Sequence, residues 1–158
     1  MIKTLLFLLA ASLCFAQTEE KPGPKYYRLD FVVKDLEGGK VQNAKAYSVY
    51  ANTLSGGKAM VRSGGKVAVS TSTNQYTYLD IGVNIDCRLQ FETPTELGLQ
   101  VAADISNLTQ ATPAPVIDQT KWDSNVVVTL KKPTTIFSSE SPASKRTTQL
   151  ELTVTPLQ

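Results

Sequence analysis

The stretch QYTYLDIGVNIDCRLQF, residues 75–91, alternates between apolar and polar side chains and decides the fold. Its odd positions from residue 79 onward hold Leu79, Ile81, Val83, Ile85, Cys87, Leu89 and Phe91. Its even positions hold Tyr78, Asp80, Gly82, Asn84, Asp86, Arg88 and Gln90. Alternation of this kind is typical of an antiparallel strand that buries one face. We therefore predict a long strand here, with Cys87 on its buried face.

A second alternating stretch follows after the turn Thr93-Pro94-Thr95-Glu96. It places Leu97, Leu99, Val101, Ala103 and Ile105 on one face, so the pair forms an amphipathic hairpin of two long central strands. Both strands are at least twice the usual length of about 5 or 6 residues, which is unusual unless a large partner surface covers them.

The same period of two extends outward in both directions. Before the central pair, Tyr27, Leu29, Phe31 and Val33 share one face of a first strand, and Glu37-Gly38-Gly39-Lys40 turns it back through Val41 to Tyr50. Further glycine turns at 55–57 and 63–65 bracket short strands at 59–62 and 66–70. After the proline-containing loop 109–115, strands are expected at 124–131 and 134–138, then a polar loop at 139–146 and a final strand ending at Pro156. The fold class is therefore all-β: an antiparallel sandwich or open sheet built from hairpins.

The amino terminus predicts export. Lys3 precedes an apolar run from Leu5 to Phe15, and Ala16 precedes the polar residues that follow. A transmembrane helix needs about 20 apolar residues, so we interpret 1–16 as a signal peptide cleaved after Ala16, with no transmembrane helix after cleavage. Residues 17–25 form a flexible lead-in and 26–158 a single β domain. Cleavage removes Cys14, so Cys87 has no partner for an internal disulfide.

The chemical inventory argues against catalysis. The chain contains no histidine, the commonest general base and zinc ligand, and no nucleophile-elbow, phosphate-loop or calcium-loop motif. Asp80 and Asp86 on one strand lie about 20 Å apart, too far to act as a catalytic pair. We expect no enzyme activity, no catalytic residue, no cofactor and no metal site. The formal net charge of +2, without a basic block, also indicates no nucleic-acid partner.

The polar face of the long strand is the candidate interaction surface. It consists of Tyr76, Tyr78, Asp80, Asn84, Asp86 and Arg88. This face has two interpretations: a solvated strand face, or a seam between copies or a polar lumen. The tyrosines and Trp122 also suit a ligand platform, although aromatic residues are common in ordinary strands.

Three segments carry a resemblance to a known family. They are 61–69 (VRSGGKVAV), 76–86 (YTYLDIGVNID) and 97–106 (LGLQVAADIS), and the closing segment QLELTVTP at 149–156 is similar too. Their order resembles the β-domain of bacterial secretins, the channels of type II and type III secretion, over roughly residues 58 to 156. The several periplasmic domains of that family are not expected here, and a short polar loop stands in place of its glycine-rich gate.

The resemblance implies a trimmed bacterial envelope β-domain, periplasmic or associated with the outer membrane. Its expected role is structural or accessory, through sheet-mediated assembly with itself or with an envelope protein. The alternative is a secreted β-sandwich module that binds a peptide or glycan through its aromatic residues and glycine-rich loops.

Overall fold

The computed structural model describes residues 23–72, 75–110, 116–141 and 146–157, and the side chains among them except those of 71, 72, 109 and 110. The predicted signal peptide and most of the lead-in lie outside the described residues. The strands are β1 (Tyr26–Glu37), β2 (Lys40–Asn52), β3 (Lys58–Ser72), β4 (Gln75–Glu92), β5 (Glu96–Gln110), β6 (Val116–Thr129), β7 (Thr134–Glu140) and β8 (Arg146–Leu157).

The eight strands form two antiparallel sheets. The first sheet has the order β2-β1-β8-β7 and the second has the order β3-β4-β5-β6. The all-β prediction is confirmed, and of its two variants the sandwich is the one found, because the inner faces of both sheets contribute to one hydrophobic core.

The core follows the alternation read from the sequence. Tyr27, Leu29, Phe31 and Val33 of β1 are at most 4% exposed, and the predicted inward face of β5 is buried along its whole length. In β8 the inward residues are Leu150, Leu152 and Val154. Interdigitating inner faces are how two packed sheets bury apolar surface, and this burial stabilises the fold.

A turn and an aromatic contact bring the edges of the sheets together at opposite sides of the sandwich. The turn at 53–57 joins β2 to β3, with the Gly57 amide donating to the Asn52 carbonyl at 2.9 Å. On the other side the ring of Trp122 of β6 packs at a tilt against that of Phe137 of β7, with ring centroids 5.3 Å apart. Each side of the sandwich is thus lined by one edge strand from each sheet.

The predicted turn at Ser63-Gly64-Gly65 is wrong. Strand β3 runs through these residues, and Gly64 lies opposite Gly82 of β4. The two backbones approach so closely that a Cβ on Gly64 would lie 2.1 Å from the Ile81 carbonyl oxygen, and Gly82 has a φ of +142°. These glycines allow a close approach of two paired strands rather than a reversal of the chain.

Other boundaries also differ from the prediction. Strand β6 begins at Val116, eight residues before the predicted start at Ser124, and strand continues through Glu140 in the predicted polar loop. A register shift between Leu89 and Phe91 turns Phe91 to the outer face, where it is 50% exposed and lies over Gly98. Leu79 is 42% exposed because β4 pairs with β5 only as far as Gly82. The alternating pattern therefore overestimates the buried length of β4.

Candidate interaction surface on the second sheet

The six residues of the predicted surface project from one side of β4. They are all exposed and lie at every second position of the strand from 76 to 88, with the exception of 82: Tyr76, Tyr78, Asp80, Asn84, Asp86 and Arg88. Their even numbering places them opposite the buried Val83, Ile85 and Cys87, on the outer face of the second sheet. The structure brings them onto one continuous face.

Cations from β3 hold two of the acidic members in place. Arg62 Nη2 lies 2.6 and 2.8 Å from the two carboxylate oxygens of Asp86, while its Nη1 donates to the Ile85 carbonyl at 3.1 Å. Lys66 Nζ lies 3.4 Å from Asp80 Oδ1. Both pairs are at least half exposed, so they fix side-chain direction more than they stabilise the fold.

The outer face is hollowed where side chains are small. A depression of about 420 Å³ lies over Gly64 and Gly65, bordered by Arg62, Lys66, Asp80 and Asn84. A second depression, of about 360 Å³, lies over Ala102 and is bordered by Asn84, Asp104 and Lys121. Asn84 separates the two hollows, and its amide offers a donor and an acceptor to both.

Arg88 has a different environment from the other predicted residues. It lies directly opposite Lys58 of β3, and neither side chain forms an ion pair within the described residues. Like charges directly opposite in neighbouring strands destabilise a sheet. The pair leaves positive charge uncompensated on an exposed surface.

The tyrosines lie on a part of β4 that has only one neighbour. Pairing between β4 and β5 ends at Gly82 and Ser106, where the Ser106 hydroxyl accepts from the Gly82 amide at 2.9 Å. Beyond this point Tyr76 and Tyr78, each 65% exposed, pair only with β3. The β3–β4 and β5–β6 hairpins therefore diverge at one end of the sandwich.

Sequence reasoning missed the cations of this surface. Lys58, Arg62 and Lys66 repeat every four residues along β3, which places them on one face of a strand. The predicted turn at Gly64 divides this series in two. Read as a single strand, the spacing would have indicated three cations beside the acids of β4.

A second polar contact ties the start of the domain to the end of β4. Lys25 Nζ lies 2.6 Å from Glu92 Oε1 and the Tyr27 hydroxyl bonds to the same carboxylate. The hydrogen bond from Lys25, together with that from Tyr27, outweighs partial burial and lowers the pKa of Glu92. Burial, followed by the contact with Glu92, raises the pKa of Tyr27. This contact connects the two sheets at the edge of the core.

The nucleophilic and metal-binding potential of the described residues is small. Cys87 is 4% exposed, and burial raises the pKa of its thiol to about 12, which disfavours the reactive thiolate. No group of three or more histidine, cysteine, aspartate or glutamate side chains suited to a metal occurs in the described ranges. The described part of the chain also contains no helix with the length and apolar character that crossing a membrane requires.

The comparison with solved structures finds secretins. The type II secretin GspD of enteropathogenic Escherichia coli superposes with a TM-score of 0.55 at 8% identity, over 87% of this chain and 70% of that chain. InvG, the secretin of the Salmonella SPI-1 type III secretion injectisome, gives a TM-score of 0.51 at 8% identity, over 85% of this chain and 64% of that chain. No protein-family model matches the sequence, and no curated protein matches it significantly.

A third structure comprises the injectisome basal body proteins InvG, PrgH and PrgK of Salmonella SPI-1. It gives a TM-score of 0.51 at 8% identity, over 85% of this chain and 45% of that chain. The chain thus spans between about half and about two thirds of the lengths of these secretin chains. The sandwich has the fold of a secretin β-domain, and the resemblance read from the sequence is confirmed for the fold.

Proposed function

We propose that this protein is a non-enzymatic, exported component of the bacterial envelope with a structural or accessory role. It works through sheet-mediated contact with further copies of itself or with another envelope protein. The outer face of the second sheet, with Asn84, Asp86 and Arg88, belongs to its contact surface.

The observation that carries the proposal is the length of the edge strands. Within the described residues β2, β3, β6 and β7 each pair with one neighbour, and the first three run to 13, 15 and 14 residues. A long edge presents a row of unpaired backbone donors and acceptors, which natural proteins cover, interrupt or pair with another chain. Pairing with another chain satisfies all of these groups.

Two uncharged stretches of the sequence support an outer-membrane association. No Asp, Glu, Lys or Arg occurs between Lys66 and Asp80, or between Asp104 and Asp118. Charged side chains are costly at membrane depth, and tyrosine is favoured at the membrane–water boundary. An uncharged stretch that includes Tyr76 and Tyr78 suits contact with lipid. The ion pairs Lys66–Asp80 and Asp104–Lys121 lie where the uncharged stretches meet charged residues.

The secretin fold agrees with this role. The superposed chains come from a type II secretin and from a type III injectisome secretin, one of them in a structure that also contains PrgH and PrgK. We extend to this chain the role of a domain that assembles with envelope proteins. Burial raises the pKa of the Cys87 thiol, which disfavours a thiolate nucleophile at this position.

Size-exclusion chromatography with light scattering tests the proposal on the exported protein, with and without detergent. We expect an oligomer, and we expect its recovery to improve when detergent covers the two uncharged stretches. A single copy under both conditions, with no protein partner recovered from the envelope, contradicts the proposal.

The second candidate is a secreted sandwich module that binds a peptide or glycan. The exposure of Tyr76 and Tyr78 on one face favours it, because aromatic faces pack well against such ligands. Under this function the protein is a single copy in both conditions, and Tyr76→Ala with Tyr78→Ala abolishes ligand binding without unfolding the sandwich.

A further inference from the structure

Two cations lie opposite each other at one end of the outer face of the second sheet. Lys58 begins β3, and its register partner is Arg88 of β4. Both are exposed, and neither forms an ion pair within the described residues. Asp86, two positions before Arg88, is already bound through both carboxylate oxygens to Arg62. Because like charges directly opposite in neighbouring strands repel, the pair favours a carboxylate from another part of the chain.

A depression of about 350 Å³ lies beside this pair on the second sheet. Arg88 and Phe91 of β4 border it, and so do Thr53 and Glu92. The ring of Phe91 is 50% exposed, so the depression also offers apolar surface. It therefore connects the unpaired cations with the turn between β2 and β3.

The described chain enters the fold at the border of the same depression. The Lys25 amide donates to Thr53 Oγ1 at 3.1 Å, and the Lys25 carbonyl accepts from the Thr53 amide at 3.1 Å. Lys25 Nζ lies 2.6 Å from Glu92 Oε1. Thr53 and Glu92 thus hold Lys25 where the depression begins, and whatever precedes Lys25 in the chain starts from this point.

The residues that precede Lys25 carry the charge that the cations lack. Segment 17–22, which lies outside the described residues, contains Glu19 and Glu20, the only acidic residues before Asp30. Five extended residues span up to about 17 Å, which is the reach of Glu20 from Lys25. Four residues of strand, the separation of Arg88 from Glu92, span only about 13 Å. The segment is therefore long enough to place its carboxylates over the cations.

Two further features favour this segment over a free anion. Pro22-Gly23 is a dipeptide typical of turns, and a turn there directs the chain from the line of β1 toward the second sheet. A carboxylate tethered by a short segment also has an effective concentration on the order of millimolar at its site. The occupant that the sequence supplies is thus present in every copy.

From these observations we propose that segment 17–22 docks in the depression of its own chain, with Glu20 over Arg88 and Glu19 over Lys58. The two carboxylates remove the repulsion between the cations. The contact lies within one copy, so it does not depend on the proposed function. Because Arg88 belongs to the proposed contact surface, a partner that binds Arg88 has to displace the segment.

A protease that cuts after glutamate tests the contact in the exported protein. We expect the double variant Lys58→Gln/Arg88→Gln to be cut after Glu19 and Glu20 about three- to tenfold faster than the wild type, because only the undocked segment is accessible and two exposed ion pairs have that effect. Lys40→Gln/Lys45→Gln, which removes two exposed cations from β2, is the control and should be cut at the wild-type rate. Mass spectrometry identifies the cut sites, and circular dichroism melting verifies that each variant folds.

A spin label on Thr18→Cys locates the docked segment by nuclear magnetic resonance, since Cys87 is buried and reacts slowly. We expect the label to broaden the amide signals of Lys58 and Arg88 more than that of Tyr78, and Glu19→Gln/Glu20→Gln to abolish this difference.

Cleavage of K58Q/R88Q at the wild-type rate, or equal acceleration in the control variant, overturns the contact. Broadening that does not distinguish Arg88 from Tyr78 overturns it as well. If the protein self-associates in light scattering while these results go against docking, this inference alone falls and the proposed function stands.

Discussion

The close approach of Gly64 and Gly82 is the point where a single added carbon is least tolerated on the second sheet. A Cβ at Gly64 would lie 2.1 Å from the Ile81 oxygen, whereas a Cβ at the adjacent Gly65 meets nothing within 4 Å. Gly64→Ala and Gly65→Ala therefore add the same methyl group at adjacent positions that differ in the space available for it.

We expect Gly64→Ala to lower the free energy of unfolding by about 1–3 kcal/mol, because the backbone must move apart to admit the methyl group. Gly65→Ala should change it by less than about 0.5 kcal/mol. Chemical denaturation measures both variants. Equal effects of the two substitutions would show that β3 and β4 do not approach closely at Gly64.

Cys87 combines burial with a raised thiol pKa of about 12. We expect labelling by a thiol reagent at neutral pH to be slow in the folded protein and fast after denaturation, because only the accessible thiolate reacts. Fast labelling of the folded protein would mean that the buried and exposed faces of β4 are reversed.

The lowered pKa of Glu92 predicts how the stability of the fold changes with pH. Because the contacts with Lys25 and Tyr27 lower its folded pKa below the ordinary 4.5, its ionised form stabilises the fold above that value. This contribution is lost as the pH falls through the folded pKa. We therefore expect Glu92→Gln to be less stable than the wild type at pH 7, and this difference to shrink as the pH falls through the folded pKa, in denaturant titrations at pH 7 and pH 3. The same difference at both values would contradict the role of the Glu92 charge.

At the scale of the strand, we expect substitutions on the buried face of β4 to affect folding and substitutions on its outer face to affect assembly. Ile85 is fully buried, so Ile85→Ala should cost about 2–5 kcal/mol of stability through lost packing. Asn84→Ala and Arg88→Ala on the outer face should change stability by no more than about 0.5 kcal/mol and yet alter assembly or partner recovery. Denaturation and light scattering on the same samples measure the two effects. Outer-face variants whose mass and membrane association match the wild type would leave β4 as an ordinary solvated strand.

The strands also show which parts of the fold local pattern can specify. Period-two alternation predicts β1, β5, β8 and the central part of β4 well, because burial of one face forces every second side chain to be apolar. It fails at Gly64, since a glycine required for close approach and a glycine required for a turn look alike in sequence. It fails again at Phe91, because the register shift that exposes this residue depends on the partner strand.

The candidate surface was predictable only in part, for a related reason. The side of β4 that carries Asp80, Asn84, Asp86 and Arg88 follows from their spacing alone. The partners Arg62 and Lys66 depend on the register between β3 and β4, a contact across the hairpin that alternation within one strand does not encode.

At the scale of the whole molecule, export is the first requirement of the proposed envelope role. We expect the mature protein to begin at Gln17, because Ala16 is the small residue that closes the apolar run. Intact-mass spectrometry of material recovered outside the cytoplasm measures this. Recovery there with residues 1–16 still attached would contradict cleavage.

The central claim is that the edge strands make the contact between molecules, and amide hydrogen exchange tests it most directly. In an isolated sandwich the outward amides of β3 and β6 face water and exchange rapidly, whereas those of β4 and β5 are bonded on both sides over their shared length. For the protein as isolated from the envelope, we predict that β3 and β6 are protected nearly as well as β4 and β5, and that protection is lost on dilution or on removal of a partner. Rapid exchange along both edges in the isolated form would contradict sheet-mediated assembly.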